Sequence, residues 1–316
     1  MSEKLELGIV GLGKMGGNIA LQCVDKGIKV VGKDISSKSD LENQGVKVVT
    51  DYKEFVGLLS TPRVIFLSLP AGNMVDRVIN DLIPFLTKGD VLLDGGNSFW
   101  MDSIKREKNL FEKGFYFIDS GTSGGVGGAR YGACFMVGGK EEGIKLVEPI
   151  LKLLAVENGY IHAGKPGAGH FIKLVHNGIE FGMLQAIGEG LSLLTNSDYN
   201  LDLPAIFKNW NNGSVIRGWL IKLMQEGLLE QGGLEKVPSY IEDTGEVNWL
   251  VQYAINREIP IPVISTSIME LFRSRENSNS DTYRGIALLR HGFGGHPFGV
   301  SEYIRKERKT SKLTKL

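Results

Sequence analysis

The sequence predicts an α/β domain built on a doubly wound, mostly parallel sheet, followed by an all-α domain. Three observations carry this reading. Strand and helix patterns alternate from Leu5 to His162, a G-x-G-x-x-G stands between the first strand and the first helix, and only helical periodicity follows a break at Lys165-Pro166-Gly167. We therefore set a Rossmann-like dinucleotide-binding unit at residues 1–164, a helical unit at 165–300 and a basic tail at 301–316.

Leu5 to Val10 reads as a short buried strand feeding Gly11-Leu12-Gly13-Lys14-Met15-Gly16. In that context Gly11 allows the tight turn, Gly13 lets a pyrophosphate approach the backbone, and Gly16 permits close helix packing. Leu12 and Met15 complete a loop whose helix N-terminus faces the phosphates. The next strand, Ile28 to Gly32, runs to Asp34, about 20 residues past the glycines, where a carboxylate accepts hydrogen bonds from an adenosine ribose and repels a 2′-phosphate. This favours NAD. Lys33 and Lys38 nearby leave NADP open, and Asp34 before Ser36-Ser37 also reads as a turn or capping residue.

Alternation continues through Val46 to Val49, a helix over Tyr52 to Leu59 and a strand from Val64 that delivers Leu69 and Pro70 to the cofactor edge. Val91 to Asp94 runs into Gly95-Gly96-Asn97-Ser98, which puts Asn97 at the carboxyl end of the sheet, where open parallel sheets bind ligands. Asn97 there either bonds a nicotinamide ribose or substrate hydroxyl or, with Ser98, caps the next helix. The stretch Asp119 to Arg130 is read as a glycine-rich loop in which Ser123, Gly124 and Gly125 can cradle a substrate carboxylate; the alternative is a flexible linker.

The second unit opens on Gly167 to Gly190, a helix that sets Lys173, His176, Asn177 and Glu180 on one face at i, i+3, i+4 and i+7. Ile172, Leu174, Val175, Ile179 and Met183 form its apolar flanks. A lysine and a glutamate one helical repeat apart can act as base and acid in one pocket, since burial lowers the first pKa and raises the second. The same spacing also suits an ordinary surface pairing face. Asn177-Gly178 weakens the helix, which argues for function. Further helices are predicted over Leu203 to Asn211, Ile216 to Glu226, Val247 to Arg257 and Val263 to Arg273. After them, Arg290 to His296 reads as a glycine-rich loop able to close on an anion.

Composition bounds the partners. Lys+Arg and Asp+Glu each total 36, which gives no electrostatic case for nucleic acid. Only Cys23 and Cys134 are present, without metal-ligand spacing, so neither a disulfide framework nor a metal is expected; the setting is reducing and cytoplasmic. No apolar run approaches the roughly 18 residues of a membrane span and no cleavable signal is read. Arg305 to Leu316, with Lys or Arg at six positions, is read as a disordered, solvated tail.

The signatures Gly11 to Gly16, Asp94-Gly95-Gly96-Asn97-Ser98, Ser123-Gly124-Gly125, Ala129-Arg130-Tyr131-Gly132 and Gly169-His170-Phe171-Ile172-Lys173-Leu174-Val175-His176-Asn177-Gly178-Ile179-Glu180 resemble short bacterial-type 6-phosphogluconate dehydrogenases. These belong to the wider β-hydroxyacid dehydrogenase superfamily, and the resemblance runs to about His296. It implies that Lys173 is the base for oxidation of the C3 hydroxyl, with hydride passing to the nicotinamide. The 3-keto acid decarboxylates, and Glu180 then protonates C1 of the enediol. Ser123, Gly124, Gly125, Asn97, His176 and Asn177 position carboxylate, hydroxyls and nicotinamide. No metal is required, because the β-keto group accepts the electrons. Helix-rich second domains of this superfamily also imply a homodimer or higher homo-oligomer.

At the far end of the sugar the chain departs from the longer enzymes. Phe181 stands for a tyrosine, Glu242 for a lysine and Leu271 for an arginine, whereas Thr244, Arg290 and His296 are retained. Arg273 and Arg275 lie close in sequence and can compensate. The default substrate is 6-phosphogluconate; the alternative is a gluconate with another C6 anion, such as 6-deoxy-6-sulfogluconate. A dehydrogenase of a smaller acid would need no anion-closing residues, and a non-catalytic NAD-binding protein would need neither Lys173 nor Glu180.

Overall fold

The computed structural model describes residues 5–276 and 279–308. The chain divides into two compact units, Met1–Leu174 and Val175–Leu316. The first runs β1 Glu6–Val10, α1 Lys14–Asp25, β2 Lys29–Lys33, α2 Ser39–Glu42, β3 Lys47–Val49, α3 Tyr52–Gly57, β4 Val64–Leu67 and α4 Asn73–Leu82. It continues through a 3-10 turn at Ile83–Phe85, β5 Val91–Asp94, α5 Trp100–Phe111, β6 Tyr116–Ser123, α6 Gly125–Tyr131, β7 Ala133–Gly138, α7 Glu141–Leu154 and β8 Ala155–Gly164. The eight strands lie in the order β3-β2-β1-β4-β5-β6-β7-β8, parallel throughout except where β6 meets β7.

Strand residues alternate between two cores. Leu7 and Ile9 join Ile19, Cys23, Val147 and Leu151 on one face, while Val10 joins Phe55, Val75 and Leu110 on the other. With both faces covered, β4 (VIFL) and the first three residues of β5 (VLLD) read as continuous apolar runs. Gly8 takes the α3 face because a Cβ there would stand 2.6 Å from Leu59 Cδ1. Burial pushes the Cys23 thiol up to about 12, which leaves it inert as a nucleophile.

The stretch Asp119 to Arg130 is no loop. Asp119–Ser123 is the end of β6, and the chain turns at Gly124, φ +119°, into α6, which begins at Gly125, φ +61°. The glycines thus serve a single abrupt strand-to-helix turn, which glycine alone adopts without strain.

The long helix α8, Ala168–Thr195, belongs to both units. The division falls ten residues beyond the break at Lys165-Pro166-Gly167, because the first turns of α8 press on the sheet: a Cβ on Gly169 would stand 2.5 Å from the carbonyl oxygens of Asp119 and Met136. The second unit adds α9 Leu203–Asn211, α10 Trp219–Gln231, α11 Val247–Asn256, α12 Pro262–Arg273, α13 Asp281–Gly294 and α14 Glu302–Glu307. Helix α10 starts later than predicted, since Val215 and Ile216 are exposed in the turn before it. Among the described residues no helix is long and apolar enough to cross a membrane.

Three further expectations are corrected in the second unit. Gly178 has a packing reason, because a Cβ there would stand 2.4 Å from Leu250 Cδ2. Arg290 lies inside α13, and Gly285 and Gly292 bring that helix close to Met224 and Leu223 of α10, so these glycines mark helix contact instead of a mobile loop. The basic tail is structured at its start: Arg305 and Lys306 lie in α14, and Arg308 is ion-paired, while 309–316 lie outside the described residues.

Candidate active site

The glycine motif stands between β1 and α1. Gly11, at φ +92°, could carry no Cβ, which would meet Ser68 O at 2.3 Å, and a Cβ on Gly16 would meet Gly11 O at 1.9 Å. At Gly13, the residue preceding α1, nothing lies within 4 Å of that position, so the backbone there is open to a ligand. Leu12 turns its side chain into the core, and its N–H donates to Asp34 Oδ2 at 2.8 Å. Asp34 Oδ1 accepts from Ile35 N, and Lys38 Nζ stands 3.6 Å away. The other lysine is excluded from this edge: Lys33 is buried with its ammonium 3.9 Å over the Tyr52 ring.

Past β4 and β5 the chain makes two adjoining turns. A Cβ on Gly95 would strike the Phe66 ring at 2.0 Å, and one on Gly96 would stand 2.7 Å from Leu69 O, which packs the Asn97 turn against Leu69. Asp94, fully buried, accepts from Gly96 N and from Ser98 Oγ at 2.7 Å, and so shapes the turn that leaves Asn97 exposed. Arg106 Nη1 approaches the same carboxylate at 3.6 Å.

Lys173 is buried, at 8% exposure, in the part of α8 that packs on the sheet. Its stem lies against β6, where a Cβ on Gly121 would stand 2.4 Å from Lys173 Cβ. The start of the helix is tied down by Asp119, whose two oxygens accept from Gly167 N at 2.7 Å and His170 N at 2.9 Å. Burial raises the Asp119 pKa, opposed by His170 and by these two donors. Sequence reasoning gave neither Asp119 nor His170 a role. The available signal was His170 one helical turn before Lys173.

In the second unit His176 Nδ1 lies 3.9 Å from Glu180 Oε2 and 3.4 Å from Asn177 Oδ1. Next to Glu180, Phe181 is buried beneath the Arg290 guanidinium, 5.4 Å from its ring centre. Arg290 Nη2 also donates to Glu242 O at 3.0 Å. Thr244 Oγ1 donates to Glu246 Oε1, and His296 stacks edge-on against Phe293. The expected compensation by Arg273 fails, because it is exposed and pairs with Glu270. Arg275 turns inward to Asp243 and to Ile241 O, and Leu271 is buried. The buried Glu242 carboxylate receives Arg308 Nη1 at 2.7 Å.

Residues 6–164 match the NAD binding domain of 6-phosphogluconate dehydrogenase, and residues 169–292 match its C-terminal domain. The chain belongs to the 6-phosphogluconate dehydrogenase family. YqeC of Bacillus subtilis, a protein provisionally named 6-phosphogluconate dehydrogenase, is 43% identical over 92% of this chain and 98% of its own. The NAD(+)-dependent, decarboxylating 6-phosphogluconate dehydrogenase of Haloferax volcanii is 37% identical with the same coverage. Among solved structures, the Plasmodium falciparum 6-phosphogluconate dehydrogenase superposes with a TM-score of 0.78 at 28% identity, over 85% of this chain and 62% of that one. The fold class and the enzyme class are those predicted: a Rossmann-like NAD-binding unit, a helical unit, and a decarboxylating oxidoreductase family.

Proposed function

We propose that the chain oxidatively decarboxylates a 6-substituted gluconate, by default 6-phosphogluconate, with NAD as the preferred acceptor. The observation that carries this reading is Lys173, buried against Gly121 on the same continuous helix that bears Glu180 seven residues later. Bound NAD supplies the hydride acceptor, and Gly11, Leu12, Met15, Gly16, Leu69 and Pro70 would hold it together with Gly13, whose open backbone suits a pyrophosphate. Lys173, when neutral, takes the proton of the C3 hydroxyl as hydride leaves C3. The resulting 3-keto acid loses carbon dioxide, and Glu180, when protonated, returns a proton to C1 of the enediol. Asn97, Ser123, Gly124, Gly125, His176 and Asn177 hold the carboxylate, hydroxyls and nicotinamide in register for these steps.

Preference for NAD rests on Asp34 and on Ile35, an uncharged residue 91% exposed beside it. A 2′-phosphate would meet the carboxylate, with Lys38, 3.6 Å from it, to offset the repulsion. We expect kcat/KM for NAD to exceed that for NADP by about tenfold or more, and Lys38→Glu to widen the ratio. Equal values for the two cofactors in the unaltered chain would show that Lys38 outweighs Asp34.

A second reading, a singly charged C6 anion such as a sulfonate, is favoured by the distal residues. Phe181 and Leu271 offer no donor, Arg290 is engaged by Glu242 O, and Arg275 is neutralised by Asp243. Thr244, Arg290 and His296 would then satisfy fewer oxygens and less charge than a phosphate brings. Steady-state kinetics over a panel of 6-substituted gluconates separates the readings. A lead of about 100-fold for 6-phosphogluconate, about 2.7 kcal/mol of transition-state binding, assigns the phosphate. A sulfonate turned over as well or better assigns the second reading.

A further inference from the structure

His170 is 2% exposed, and its backbone N–H and both ring nitrogens make contacts. Its Nδ1 lies 2.7 Å from Ser103 Oγ on α5, its Nε2 lies 3.2 Å from Asp94 O at the end of β5, and its backbone N–H donates to Asp119 Oδ2 on β6. A carbonyl oxygen only accepts, so Nε2 carries the hydrogen; in the neutral ring Nδ1 then accepts from the Ser103 hydroxyl. One residue thereby links three elements of the first unit to the first turn of α8, two of them, α5 and β5, through its imidazole.

Two things depend on where that turn sits. Lys173 is one turn further along the same helix, on the same side, with its stem pressed on Gly121. The carbonyl that the ring holds belongs to Asp94, whose carboxylate shapes the turn carrying Asn97 through Gly96 N and Ser98 Oγ. A rotation of α8 would slide Lys173 along β6 at Gly121 and so change its position relative to β5 and the turn that follows it, and His170 opposes this from the side of the helix while Asp119 holds its end.

We infer that His170 is a positioning residue for the reaction, fixing Lys173 relative to the Asn97 turn through its bonds to Ser103 and to the Asp94 carbonyl. The inference rests on the reading of Lys173 as the base. A residue that merely filled space would tolerate an apolar ring of similar size. A positioning residue would not, because an error of about 1 Å at a reacting group costs on the order of 100-fold in rate.

The test uses the full-length chain with 6-phosphogluconate and NAD, with kcat normalised to sites titrated by NADH fluorescence so that loss of folded protein cancels. His170→Phe should lower kcat by about 30- to 100-fold while KM for the sugar acid moves by less than about threefold. His170→Gln, which restores a donor for the Asp94 carbonyl, should recover much of the loss. Ser103→Ala, which leaves the ring in place and removes one bond, keeps the question open to an answer if His170→Phe does not fold; it should lower kcat by about three- to tenfold. Normal kcat in Ser103→Ala and His170→Phe, beside an inactive Lys173→Met, would overturn the positioning role alone. Retained turnover in Lys173→Met would instead remove the premise, and the inference with it.

Discussion

Lys173→Met is expected to lower kcat by about 10³-fold, within the range for loss of a general base, while the dissociation constant for NADH stays within about twofold. Methionine keeps the length and the apolar stem that lies on Gly121, so the packing at β6 survives and only the proton acceptor is lost. The substitution leaves the glycine motif and Asp34 unaltered, which is why binding of the dinucleotide is the control. A variant that turned over within tenfold of the unaltered chain would take lysine out of the base role.

Arg308→Met is expected to destabilise the second unit by about 3–5 kcal/mol, the cost of leaving one side of a buried ion pair without its partner. Glu242 and Asp243 are adjacent and nearly fully buried, and Arg308 Nη1 stands 2.7 Å from Glu242 Oε1 and 3.6 Å from Asp243 Oδ1. Its stem also crosses Gly245. Replacing Glu242 with Gln in the Arg308→Met background should recover part of the loss, because the stranded charge is then gone while Asp243 keeps Arg275. Urea unfolding of the three chains measures this. An unchanged midpoint in Arg308→Met would mean that the arginine is solvated, as the basic composition of the chain end suggested.

That contrast shows what composition can and cannot say. A run of basic residues near a terminus reads as solvated tail, because the acids that hold Arg308 are more than sixty residues away in sequence. The glycines misled in the same way. At Gly11, Gly13 and Gly16 a strand before and a helix after gave each glycine a role in advance. In Asp119 to Arg130 and Arg290 to His296 the glycines read as loop, whereas Gly124 and Gly125 serve a strand-to-helix turn and Gly292 a close helix contact that only the folded neighbours reveal, and the helix gives way to loop at Gly295. The polar face of α8 was legible from spacing alone, but its apolar flanks were not: Leu174 is buried while Ile179 and Met183 stay half-exposed. His170 could be placed one turn before Lys173 from the sequence, yet its partners Ser103 and Asp94 lie 67 and 76 residues away. A polar residue's position on a helix is local information, and what it bonds to is not.

In the function proposed above, the chain couples oxidation to decarboxylation on a 6-substituted gluconate. The most direct measurement follows NADH and carbon dioxide together during turnover of 6-phosphogluconate and its C6 analogues with NAD. The two products are expected to appear in a one-to-one ratio with at least one of these substrates, and both to vanish in Lys173→Met. NADH formed without carbon dioxide, or no turnover of any 6-substituted gluconate, would contradict it.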